Sequence, residues 1–176
     1  MADSSESEEA LQSEIREFRE GFRSVTLATV NGDGVPEASY APCVTDAAGD
    51  HYVFVSGLAR HTRDLEETGT ASALFIDDEQ STGNIFARKR LSYRCDAILV
   101  PRESPEWEEI LKQFREIFGK FVETLQQLPD FRLFRLSPRS GRYVSGFGQA
   151  FELEGQRVAQ LRPRGRGTGA ADKSGG

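Results

Sequence analysis

The chain has 176 residues, 38% of them hydrophobic and 28% charged, with a formal net charge of −6. That is the size of one domain, large enough to bury a core without metal or disulfide. The acidic balance argues against a dedicated duplex-DNA binder, which needs a basic footprint, and no apolar run reaches the roughly 18 residues of a membrane span. Two cysteines, Cys43 and Cys95, far apart in the chain, exclude a disulfide framework and any Cys-x-x-Cys zinc or redox motif, and two histidines, His51 and His61, are too few and too scattered for a metal-site motif. The acidic start, Met1-Ala2-Asp3, lacks the positive charge and apolar stretch of a secretion signal, so the cytoplasm is the expected compartment.

Leu11, Ile15, Phe18 and Phe22 recur on one helical stripe. This predicts a helix near the start, after a disordered lead over residues 1–9. Strand signals follow. Residues 24–30 and 35–45 flank Asn31-Gly32-Asp33-Gly34, a turn signal. Residues 51–56 form a third strand, 59–68 a short helix and 71–77 a fourth strand. A long strand is predicted over 86–100. Leu91, Tyr93, Cys95, Ala97 and Leu99 share its core face; Arg88, Arg90, Ser92, Arg94 and Asp96 share the other.

Residues 104–128 predict one long helix, with Ser104 as N-cap, Pro105 at the first helical position and Pro129 as terminator. Strands over 131–136 and 142–153 follow, joined by a turn at 137–141, then a short strand over 157–161. Residues 162–176 shift to Gly, Arg and Lys without apolar anchors and are expected to be a disordered tail. Arg162, Arg164 and Arg166 have the Arg-Gly pattern of RNA-binding tails but no aromatic residue to stack on bases. About seven short strands in hairpin-like succession, interrupted by one long helix, fit a partly open barrel over residues 10–161.

No catalytic triad or dinucleotide motif is legible. Gly146-Phe147-Gly148 lacks the third glycine and the helix of a nucleotide fingerprint, and reads as a bulge or close backbone approach in a strand. Arg60, His61 and Arg63 cluster where a strand gives way to a helix. Helix N-termini attract anions, and arginine binds phosphate or propionate bidentately, so this is a candidate anion clamp. The plain alternative is a solvated turn paired with Glu66 and Glu67. Arg88, Lys89 and Arg90 form a second basic cluster. Cations converging across neighbouring strands of an acidic protein suggest a small anionic molecule rather than nucleic acid.

The stretches TLATV (26–30), SYAP (39–42), ARHTRDL (59–65), FARKRL (86–91), DFRLFRL (130–136) and GRYVSGFGQA (141–150) resemble the HugZ/HutZ haem-utilisation family. That family lies within the pyridoxamine-phosphate-oxidase-like split barrels. The resemblance implies a mainly β fold: a six- to seven-stranded antiparallel split barrel that pairs as a homodimer and holds a flat cofactor, haem or FMN, at the dimer interface. It implies that Arg60 and His61 match the residues holding the FMN phosphate in flavin-binding relatives, and that Arg88 and Arg90 match strand residues near the cofactor. Asp130 matches the acidic residue that supports the haem-ligating histidine. Arg166 falls where that histidine stands, and a protonated guanidinium is no iron ligand, so no metal ligand is assigned. The expected function is haem binding, trafficking or weak degradation. The alternatives are an FMN-dependent oxidoreductase and a cofactor-free interaction module.

Overall fold

The structure, a computed structural model, describes residues 2–159. The expected tail over 162–176, Arg166 within it and the end of the strand expected over 157–161 lie outside the described residues.

β1 (Ser24–Val30) alternates strictly, with Val25, Leu27 and Thr29 inward and Ser24, Thr26 and Ala28 outward. At the next turn Asn31 Oδ1 accepts from the backbone N–H of Asp33 at 3.1 Å and of Val35 at 2.9 Å, while Gly34 takes φ 80°. β2 (Pro36–Thr45) returns beside β1. β3 (His51–Ser56) is apolar at successive positions because both its faces are covered. α2 (Arg60–Thr68) crosses to β4 (Thr70–Ile76), and β5 (Arg90–Leu99) follows.

With β6 (Phe131–Gly146), the order β3-β2-β1-β4-β5-β6 is antiparallel throughout, and a β3–β6 pairing closes it. The fold is therefore a closed six-stranded barrel, with β7 (Gln149–Glu154) and β8 (Arg157–Val158) extending the sheet past β6. One core fills the barrel around Leu27, Val53, Phe75, Leu91, Tyr93 and Phe134, and Ile15, Phe18 and Phe22 from the N-terminal helical segment plug it. A second core lies outside β3, where Tyr52, Phe54 and Leu133 meet Trp107, Leu111 and Phe114.

Several boundaries differ from expectation. α1 (Ala2–Glu20) takes in residues 2–9, expected to be disordered, because Glu6, Glu8, Glu9 and Ala10 are good helix formers. The single helix expected over 104–128 breaks into α3 (Pro105–Phe118) and α4 (Phe121–Gln126) at Gly119, whose φ 81°, ψ −169° only glycine adopts readily. β6 (Phe131–Gly146) runs straight through the turn expected at 137–141. The register instead shifts opposite Arg94/Cys95, and a bulge there tolerates Pro138. The strand expected over 142–153 folds back at Phe147-Gly148, with Gly148 at φ 72°, to make the β6–β7 hairpin.

Candidate functional site

The β3–α2 junction is held from the other side of the barrel seam. Ser56 Oγ donates to Asp130 Oδ2 at 2.7 Å, and Gly57 N donates to Asp130 O at 2.8 Å. A Cβ on Gly57 would stand 3.0 Å from that same carbonyl, so glycine permits the approach. Thr62 Oγ1 donates to Ser56 O at 2.6 Å, which sets the pitch of the first helical turn. Ala59 precedes α2 and offers no side-chain cap, so the helix N-terminus keeps its free N–H groups. Arg60 is exposed and stands 3.7 Å from Glu37 Oε2. His61 is half-buried; burial lowers its pKa against the opposing pull of Asp64 and Glu37. Arg63 is exposed. Glu66 and Glu67 are engaged elsewhere, with Arg132 and the Gly32 N–H.

The second basic group lies before β5. The strand starts at Arg90, later than expected, because Ile85–Ala87 coils into a 3-10 turn capped by Asn84. Arg88 therefore precedes the strand. Its Nε donates to Asp77 O at 2.6 Å and its Nη1 to Glu79 Oε1 at 2.9 Å. Lys89 Nζ reaches Glu14 Oε1 on α1 at 2.9 Å. Arg90 Nη1 donates to Arg88 O at 2.8 Å. Arg90 also lines a cleft of about 270 Å³ with Phe86, Arg142, Val144 and Phe147. Phe86 is 83% exposed and Phe147 71%, so two phenyl faces stand open beside two guanidinium groups.

One chain does not bring the two basic groups together. β1 pairs Thr29 with Glu37, so the Arg60 group sits at the Val30 end of β1. β1 pairs Thr26 with Leu74, and β4 pairs Ile76 with Arg90, so Arg90 falls at the Ser24 end. At about 3.3 Å per residue the two ends lie roughly 17 Å apart along the strand. Between these levels the outer face of the barrel carries Tyr40, Thr26, Leu74, Ser92 and Arg142 in one row across neighbouring strands. Asp130 belongs with the Arg60 group.

The remaining polar candidates are inside. His51 is fully buried, with Nδ1 2.9 Å from Thr45 Oγ1, and burial together with the Arg19 charge brings its pKa down to about 3. Burial pushes the Cys43 and Cys95 thiols up to about 12, which makes them inert. No cluster of three metal-ligating side chains occurs among the described residues. Sequence reasoning missed Phe86, Phe147, Arg142 and the Glu14–Lys89 tether. A signal existed only for Phe147, an aromatic residue between two glycines at a strand end.

A closed six-stranded antiparallel barrel extended by two further strands, with helices packed outside it, is a split-barrel fold. The chain belongs to the pyridoxamine 5'-phosphate oxidase family, whose model matches residues 11–145. It is 43% identical over 145 residues to heme oxygenase HutZ of Vibrio cholerae, covering 82% of each chain. The crystal structure of V. cholerae HutZ, described as a heme storage protein, superposes with a TM-score of 0.68 over 72% of this chain and 88% of that one. Campylobacter jejuni ChuZ superposes with a TM-score of 0.80 at 31% identity, over 90% of this chain and 65% of that one.

Proposed function

We propose that two copies of the chain pair through the outer face of β2-β1-β4-β5 and hold haem at the seam. The observation that carries this reading is the placement of Arg60 toward the Val30 end of β1 and of Arg90 level with its Ser24 end. A twofold axis through the middle of that face lays the Arg60 end of one copy over the Arg90 end of the other. The cleft beside Arg90, of about 270 Å³, is open to its surroundings, and this reading seats the second copy over it.

The residues suit haem. Arg60 and Arg90 offer charge-assisted forks to propionates, and Phe86 and Phe147 offer flat apolar faces to a macrocycle. Asp130 fixes the turn that carries Arg60 and His61. Arg63 adds positive charge at the same end, and Arg88 holds the loop that shapes the cleft. His51 is sealed inside the barrel, which leaves His61 as the described imidazole open to a ligand. When bound, the haem iron supplies any oxygenase chemistry of the kind named for HutZ; the chain binds, orients and neutralises the propionates. No helix among the described residues is long and apolar enough to cross a membrane, and this reading places the protein in the cytoplasm.

The family match over residues 11–145 supports FMN as the second reading, with Arg60 and His61 at the α2 N-terminus taking the phosphate. Absorption of the freshly purified protein, then of protein titrated with haemin and with FMN, decides. A Soret band that saturates at a fixed haemin-to-dimer ratio supports haem. A co-purified flavin spectrum with no saturable Soret band replaces it with FMN. No spectral change with either ligand leaves only a paired scaffold. His61→Ala shifts the Soret maximum if His61 is the nitrogen donor.

A further inference from the structure

The cleft beside Arg90 lies between two stretches of chain, the loop through Phe86 and the β6–β7 hairpin through Phe147. The β5–β6 ladder starts at the Arg90–Val144 pair, so both phenyl groups stand beyond that rung. Their setting relative to one another then depends on what holds each stretch close behind them. Behind Phe86 comes Lys89, next to Arg90. Behind Phe147 comes Tyr143, between Arg142 and Val144, which both line the cleft.

Both of these side chains end on one atom. Glu14 Oε1 of α1 accepts from Tyr143 Oη at 2.7 Å and from Lys89 Nζ at 2.9 Å. Phe18 follows one turn later on the same helix face. Its ring centroid lies 5.7 Å from that of Tyr143 and 5.7 Å from Lys89 Nζ. Each partner is thus gripped twice by α1, at its polar end by Glu14 and alongside by Phe18. Burial raises the Glu14 pKa, but the Tyr143 and Lys89 bonds and the Lys89 charge bring it below the ordinary value, so the carboxylate keeps its charge. Burial together with the Glu14 bond and charge raises the Tyr143 phenol, which stays a donor. Hydrogen bonds to a charged acceptor are stronger than those between neutral groups.

We infer that Glu14 is a positioning residue for the cleft: through Lys89 and Tyr143, one carboxylate oxygen on α1 ties the loop that carries Phe86 to the strand that leads to Phe147. The tie holds the two phenyl faces and the Arg90 and Arg142 guanidinium groups at a set spacing for a planar, acid-bearing molecule. Walls ordered in advance need not be ordered when the ligand arrives, so affinity is gained without a new contact. The identity of the ligand rests on the haem reading above; the clamp is a property of the free protein.

Amide hydrogen exchange of the ligand-free, full-length protein tests the clamp, and haemin titration at the Soret band tests its effect on binding. In Glu14→Ala, exchange is expected to rise several-fold over residues 84–90 and 144–150. Residues 15–22 are expected to keep the parent's protection, because Ile15, Phe18 and Phe22 still seat that segment on the core. Haemin affinity is expected to fall about 3- to 10-fold. In a Lys89→Met/Tyr143→Phe background, where both arms are already gone, adding Glu14→Ala is expected to change affinity no further. Parent-like exchange in either stretch, a rise confined to α1, affinity within twofold of the parent's, or a full further loss in the double-variant background overturns the proposal. A parent that takes up no haemin ends the haem reading instead, and the exchange comparison alone then decides the clamp.

Discussion

Replacing Arg90 with alanine separates the two guanidinium groups that the FARKRL stretch places side by side. Arg90 lines the cleft with Phe86 and Phe147 and spends one N–H on the Arg88 carbonyl. A guanidinium has five N–H donors, so the others remain for an acid group. A hydrogen bond to a charged partner contributes about 1.5–3 kcal/mol net. At a factor of ten per roughly 1.4 kcal/mol, Arg90→Ala is expected to weaken haemin binding about 10- to 150-fold. Arg88 differs, because the Asp77 carbonyl and Glu79 already hold it. Arg88→Ala is expected to loosen the preceding loop while changing affinity much less. Haemin titration followed at the Soret band, with circular dichroism to confirm folding, reads both variants. Arg90→Ala binding within twofold of the parent, or Arg88→Ala losing as much as Arg90→Ala, refutes the assignment of the cleft.

Leu111 is fully buried in the core under α3, and Leu111→Ala is expected to cost about 2–5 kcal/mol in denaturant unfolding. Gly119→Ala puts a side chain at φ 81°, ψ −169° and is expected to cost about 1–3 kcal/mol by the same assay. His51 has a folded pKa near 3 against an ordinary 6.5, so between those values the unfolded chain binds a proton that the native chain refuses. Stability therefore falls as pH drops through that window, by up to about 1.4 kcal/mol per pH unit from this group. In His51→Phe the slope is expected to flatten, which unfolding midpoints between pH 4 and pH 7 measure. Sedimentation of Thr26→Arg, at the middle of the outer face, is expected to show monomers where the parent is paired; a paired variant counts against the seam.

The strand alternation of residues 24–30, the Asn31-Gly32-Asp33-Gly34 turn and the Ser104-Pro105 helix start were legible because each depends on neighbours a few residues away. Period-two burial, an Asx turn and an N-cap are local chemistry. So was the presence of two basic groups, Arg60-His61-Thr62-Arg63 and Arg88-Lys89-Arg90. Pro138 and Gly141 spelled a turn by the same local logic, yet β6 passes through them. Pairing with β5 on one side and β7 on the other outweighs the turn preference, and a bulge absorbs the misfit.

The order of the strands depends on contacts between residues far apart in the chain, and the destination of each basic side chain depends on that order. Only the folded barrel placed Arg60 and Arg90 toward opposite ends of β1, turned Arg88 onto Glu79, and set Asp130 against Ser56. Only the fold also showed that His51 is a buried, neutral interior group. Composition and periodicity determine which faces are apolar and where the chain turns. Which charges meet is decided by closure of the β3–β6 seam and the register across it, because electrostatic pairing follows distance in space rather than distance along the chain.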